Sequence, residues 1–269
     1  MFKSSFYAVA LCLPLTVASV AEAGDGQSFL AGNWALTLGG SGFIGPKFEG
    51  SKNSSLQFSP IIAIGKQGPE ARFVSRNDSP SFALLDQGAF RAGIAGKLIM
   101  PRDNDSEPEL TGMKNVLLGV ELGGFAEVYP TEFIRVRGEV RQGIRSHSGQ
   151  VGDIAVDAFT DITPNIRVSG GPRVRLASSE YFDRYYGVSA AAAAAGGPSA
   201  YAPGGGVHSM AVGGSVDWKP TEQWSLSSFA EYRRLMGPAA DSSLVRERGS
   251  ANQFVVGLSA SYKFNFTLD

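Results

Sequence analysis

Cysteine is almost missing from this 269-residue chain: the single Cys12 lies in the apolar N-terminal stretch, so disulfides cannot hold the fold together. Histidine is nearly as scarce. His147 and His208 are far apart in sequence, and with no cysteine to help they offer no metal-ligand set at a recognisable spacing. A formal net charge of −1 leaves no basic footprint of the kind nucleic-acid binding needs. Long apolar runs are absent after residue 23, where the longest weakly polar stretch, 188–197, is alanine and glycine with little drive into lipid. If the chain spans a membrane it does so as strands, since only helices and closed barrels satisfy every backbone polar group there. Thirty-four (Gly 34) glycines, 43% hydrophobic residues and a mean hydropathy of −0.03 are likewise unlike a helical membrane protein.

The N-terminus reads as an address. Met1, Phe2 and Lys3 precede an apolar stretch from Phe6 to Val20, and the triplet Ala21, Glu22, Ala23 stands before Gly24. That order predicts a cleavable secretory signal over 1–23, cut between Ala23 and Gly24, with one mature domain over 24–269. Lipidation of Cys12 is not expected, because a lipoprotein site wants a small residue directly before the cysteine and Leu11 stands there.

What the chain has in quantity is period-two alternation. From Phe133 to Arg145 one parity reads Arg135, Arg137, Glu139, Arg141, Arg145, and the other Ile134, Val136, Val140, Ile144. The period is two, not 3.6. Asp153, Asp157 and Asp161 then alternate with Ile154, Val156 and Ile162, and the turn-prone Ser146–Gln150 between them predicts an antiparallel hairpin. Arg167, Arg173 and Arg175 continue the charged face, as do Glu121 and Glu127 before it and Glu231 and Arg233 after it. These fifteen charges are expected to face the lumen, the apolar parity facing lipid. The closing stretch sets Phe254, Val256, Leu258, Tyr262, Phe264 and Phe266 on one face, and Trp34, Tyr129, Trp218 and Trp224 sit at strand ends, as an interfacial aromatic belt requires.

The fold class is therefore all-β: a single antiparallel transmembrane β-barrel of about twelve strands. They are expected at 32–43, 54–65, 70–77, 81–87, 90–101, 115–128, 132–145, 151–162, 165–177, 206–218, 223–236 and 252–266. Short turns at Lys66–Pro69, Gly88, Tyr129–Thr131, Thr163–Pro164 and Lys219–Glu222 alternate with long links at 44–53, 102–114, 178–205 and 237–251, as in bacterial barrels with short periplasmic turns. The strands at 70–77 and 81–87 are weakly patterned, so ten strands is the alternative.

No catalytic set emerges, and no cofactor or metal is expected. Ser148 and Ser209 neighbour the two histidines, but adjacent residues on a strand point to opposite faces. The aspartate row could form an acid pair or a cation ladder, yet the facing arginines neutralise it more simply. The aromatic run Tyr181–Tyr186 and the alanines after it are too apolar for an idle loop; they suit packing on the rim, a plug of the lumen or a partner surface.

At this point a resemblance enters. Pro46–Ser51, Arg135–Gly149 with its Ser-His-Ser-Gly turn, Gly171–Arg173, Tyr181–Val188, Arg234–Gly237 with Asp241–Ser243, and Gln253–Phe264 are together similar to the MipA/OmpV family of MltA-interacting outer-membrane proteins. Thr267, Leu268 and Asp269 depart from it by extending past the terminal aromatic. The resemblance implies a non-enzymatic barrel in the cell outer membrane, in contact with outer-membrane lipid, that scaffolds a lytic transglycosylase and a peptidoglycan synthase. A narrow channel for small solutes is the rival reading, drawn from the charged lumen. Adhesion or signalling through 178–205 and 237–251 is a third.

Overall fold

The computed structural model describes residues 16–17, 32–66 and 72–268. Alternation becomes eleven antiparallel strands among these residues: β1 (Gly32–Pro46), β2 (Ser54–Lys66), β3 (Ser81–Asp86), β4 (Phe90–Ile99), β5 (Gly119–Thr131), β6 (Ile134–Ile144), β7 (Gln150–Thr163), β8 (Ile166–Ala177), β9 (Gly206–Trp218), β10 (Trp224–Leu235) and β11 (Asn252–Leu268). Strands β3 to β11 pair in chain order, β11 returns to β1, and β1 pairs with β2. This is the meander of a barrel wall, with the last strand beside the first. On the free edge of β3, Thr16 and Val17 pair in parallel with Ser81 and Phe82.

The two faces of the wall differ as the alternation requires. Phe58, Leu258, Val140, Val212, Ile94 and Ile154 are exposed on the outside, where lipid rather than water covers them. Trp218 and Trp224 are exposed at one end, where Trp224 packs edge-on against Tyr262 with ring centroids 5.2 Å apart. Tyr129, expected in the same belt, instead turns inward and donates its hydroxyl to Glu127 at 3.1 Å, because it shares the inward parity of Glu127. Short turns lie at that end, and the long links lie at the other, which in bacterial barrels is external.

The strand expected over 70–77 does not exist among the described residues. Residues 72–80 instead run inside the barrel as irregular chain. The Asp78 carboxylate accepts from the Ser75 amide (2.8 Å) and the Asp78 amide donates to the Ser75 carbonyl (3.0 Å). Such local closure by an aspartate competes with ladder pairing. Among the described residues eleven antiparallel strands form the sheet, in keeping with the expected barrel of about twelve; Thr16–Val17 adds to its β3 side and β2 is the other edge. The turn expected at Tyr129–Thr131 is the end of β5, which shifts the reversal to Glu132–Phe133. Most of the turn expected at Lys66–Pro69 lies outside the described residues, as do the cleavage pair Ala23 and Gly24 and all of the expected signal except Thr16–Val17.

Gly171 is one of the wall positions that depend on glycine. The β7–β8 ladder keeps its register from Val151↔Ala177 to Asp161↔Arg167 but is interrupted opposite Gly171 and Pro172, whose ring has no N–H to contribute. A Cβ on Gly171 would lie 1.8 Å from the Val156 carbonyl oxygen, whereas one on Gly138 would meet nothing within 4 Å. Gly171→Ala should therefore destabilise the barrel by about 1–3 kcal/mol through overpacking, while Gly138→Ala is neutral or slightly stabilising. Urea unfolding of the detergent-refolded protein checks both, and equal midpoints would contradict the close approach.

Candidate functional site

The interior is organised around four strands, β5 to β8, whose inward faces carry charge of both signs, and around the inner segment 72–80. Arg135 on β6 is 1% exposed and grips Asp78 of that segment with both terminal nitrogens, at 2.7 and 2.9 Å, while Nη2 also reaches Asp157 at 2.6 Å. Arg137 binds Glu127 at 2.8 Å and Glu139 at 2.8 Å. Arg141 takes Glu121 at 2.9 Å and Asp153 at 2.6 Å, and also binds Glu139. On β8, Arg173 binds Asp157 (2.7 Å) and Ser75, and Arg175 binds Asp153 (2.9 Å). Each guanidinium thus meets carboxylates on its own or neighbouring strands, as a buried charge must.

Sequence-distant groups from 72–80 complete this lattice. Phe73 stacks on Phe159 at 4.3 Å, and Arg135 lies over the Phe73 ring at 4.8 Å. The Arg76 guanidinium sits 3.7 Å over Phe229. Asn77 donates to Glu231, and the Ser79 amide donates to Glu139 (3.3 Å). The interior is filled by its own chain.

Above the lattice sits a lid. Helix α1 (Ser179–Tyr186) carries Tyr181, Phe182, Tyr185 and Tyr186 on one side, with Glu180 in its first turn and Arg184 in its last, matching the helix dipole. The α1 aromatics bury with Phe48, Leu110, Met113, Leu235, Leu244 and Val245, drawn from all the long links. A short helix, α2 (Ala190–Ala194), follows. The Tyr181–Tyr186 run thus packs with the other long links across the mouth of the interior.

Both histidines lie where lid and lattice meet. His147 Nε2 is 3.0 Å from Glu121, and its ring packs edge-on to Tyr181 at 5.0 Å. His208 Nε2 is 3.3 Å from Glu49 and 3.2 Å from the Tyr186 hydroxyl, while Nδ1 is 3.0 Å from the Ser209 hydroxyl. A register shift between Val207 and Ser209 breaks the alternation, so adjacent residues His208 and Ser209 are both buried. The Glu49, His208, Ser209 sequence of contacts has the atoms of a hydrolase triad, but the α1 rings cover it and Ser209 is only 3% exposed. It ties lid to lumen.

The structure brings Glu121, Glu127, Arg135, Arg137, Glu139, Arg141, Asp153, Asp157, Arg173, Arg175, Glu231 and Arg233 into the interior lattice. Asp161 and Arg167 pair with each other at 2.7 Å, largely exposed near the short-turn end. Arg145 does not join: it is exposed on the hairpin turn with φ 72°, because the chain leaves the strand at Ile144 and parity stops there. Sequence patterning missed Asp78, Asn77 and Glu49, none of which sits in a regular alternating stretch, and it gave the two histidines no part in the lattice, whereas both are buried against carboxylates. The Asn77–Asp78–Ser79–Pro80 turn signal was the one available clue. Among the described residues no cluster of three or more His, Cys, Asp or Glu has metal-binding geometry.

A family model described as MltA-interacting protein MipA matches residues 38–264. The solved outer membrane channel DcaP of Acinetobacter baumannii is 9% identical over 87% of this chain and 98% of its own, with a TM-score of 0.42. The outer membrane protein OprG from Pseudomonas aeruginosa is 13% identical over 89% and 99%, with a TM-score of 0.28. Among curated proteins none is significantly similar in sequence.

Two outcomes test the site. Asp78→Ala removes the two-pronged partner of Arg135 and leaves it with Asp157 and Glu127, and should cost about 1.5–3 kcal/mol; an unchanged urea midpoint would show that 72–80 is not held there. The second concerns pH. Burial raises the pKa of Glu49, but His208, Arg175 and Arg233 outweigh it and hold the carboxyl well below its ordinary value. A depressed carboxyl adds stability above its unfolded pKa of about 4.3 and loses it as pH falls through the folded value. Thermal midpoints should therefore drop on acidification below roughly pH 4, and Glu49→Gln should flatten that drop.

Proposed function

The chain belongs to the MltA-interacting protein MipA family, and from that premise we propose that it is a filled outer-membrane barrel that holds murein enzymes at the membrane rather than passing solutes. The observation that carries the choice of scaffold over channel is the packing of 72–80 into the interior, where Asp78 binds Arg135 and Asn77 binds Glu231. A conducting barrel of this size needs its lumen, and arginines together with an inner segment consume it. The partners that the resemblance implies are a lytic transglycosylase and a peptidoglycan synthase. Both work in the periplasm, so their contact surface is the short-turn end, where Glu132, Phe133, Asp161, Lys219 and Glu222 are exposed.

Crosslinking in intact cells, followed by identification of what is held, is the direct test. A murein hydrolase or synthase captured by the short-turn end, from a protein silent in planar bilayers, is the expected result. Deleting 72–79 should then open ion conductance in the otherwise silent barrel. Steady conductance from the unaltered protein, with no murein enzyme captured, would replace the scaffold by the channel reading.

A further inference from the structure

Beside Arg137 the charge lattice borders an open space. A partly enclosed cavity of about 40 Å³ lies between the tip of the inner segment and the wall, lined by Asn77, Asp78, Arg137, Arg173, Arg175 and Arg233 among others. A single water needs roughly 10–15 Å³ on this measure, so the space holds about three waters or one small oxyanion.

The register explains why arginines converge there. Arg137 lies opposite Ala155, Ala155 opposite Arg173, Arg173 opposite Ala211, and Ala211 opposite Arg233. Three arginines thus alternate with two alanines along one inward row over β6 to β10. Each of the three arginines is held on its far side, Arg137 by Glu127 and Glu139, Arg173 by Asp157 and Arg233 by Glu231 and Glu49; between them in the row stand only the alanine methyl groups, which leave room. Asp78, Glu139 and Asp153 also line the cavity, but each is already held: Asp78 by Arg135, Glu139 by Arg137 and Arg141, and Asp153 by Arg141 and Arg175. A second observation is independent of the row. Arg137 is only 4% exposed, yet its Nη2 is buried with no hydrogen-bond partner. An unmade bond on a buried guanidinium is costly.

We propose that this cavity is a binding site for one small oxyanion, a carboxylate or phosphate group, taken up by Arg137 Nη2 with Arg173 and Arg233. Guanidinium forks match the geometry of both groups, and the site's low dielectric strengthens each contact. The bound anion would supply the carboxylate that Ala155 and Ala211 do not. It would also hold the tip of the inner segment, because Asn77 and Asp78 form one wall of the site. This does not depend on the scaffold reading: a silent scaffold and a channel could each carry it.

The test is calorimetric titration of the full-length, detergent-refolded protein with inorganic phosphate and, separately, with acetate, at constant ionic strength. Saturable binding of one equivalent is expected. Phosphate binding alone identifies a tetrahedral ligand, and acetate binding a carboxylate. Ala211→Asp places a carboxylate between Arg173 and Arg233 and should weaken binding by at least roughly tenfold, since like charges in an enclosed site are costly. Its thermal midpoint without added anion should be no lower than that of the parent. If that variant fails to fold, Ala155→Asp, between Arg137 and Arg173, makes the same test from the other side. Absence of saturable binding, or unchanged affinity in a folded variant, would overturn the site and leave ordered water as the occupant.

Discussion

Arg135 cannot be left unpaired at the position its strand assigns to it. Its guanidinium is almost fully buried, behind a wall whose outer face is lipid, and the cost of an isolated charge there far exceeds what any wall contact returns. Asp157 on the adjacent strand supplies one carboxylate. Glu127 on the other adjacent strand lies 3.4 Å away, and the partner that takes both terminal nitrogens is Asp78, 57 residues earlier in the chain; much else follows from that pair. To deliver Asp78, residues 72–80 leave the wall and run inside it. With them go Phe73, which stacks on Phe159, and Asn77, which binds Glu231. The barrel gives up a strand and gains a filled interior.

The lid depends on the same lattice from the other side. Glu49, in the first long link, is within 3.3 Å of both Arg233 and His208, and His208 carries the rings of α1. His147 repeats the arrangement with Glu121 and Tyr181. Two acid–histidine contacts therefore join wall strands to an aromatic cap without a disulfide, consistent with a chain whose single cysteine lies at Cys12. Lattice, inner segment and lid are one connected set of polar contacts. A change at Asp78 should be felt at the lid, and a change at Glu49 within the barrel.

How much of this was legible in the sequence differs by element. The hairpin of β6 and β7 was readable in full, since Arg135, Arg137, Glu139 and Arg141 alternate with apolar residues and face Asp153 and Asp157 across a turn. Arg145 shows where that reasoning stops: parity assigns it inward, but the strand ends one residue earlier and a positive φ turns it out. Ser209 shows the opposite failure, because a register shift puts two adjacent residues on one face. The weak pattern at 70–77 had the apolar and polar residues of an edge strand, and only Asn77–Pro80 hinted at a turn.

By itself, then, the sequence determined the wall: its strands, which face meets lipid and which carries charge, and the membrane that such a wall suits. Those follow from period-two alternation, a local property that each strand displays without reference to any other. Only the tertiary structure decided what occupies the interior, how the histidines are used, and where three arginines meet with room between them. Those depend on pairings between residues tens of positions apart, and a buried charge takes whichever partner the fold brings within reach.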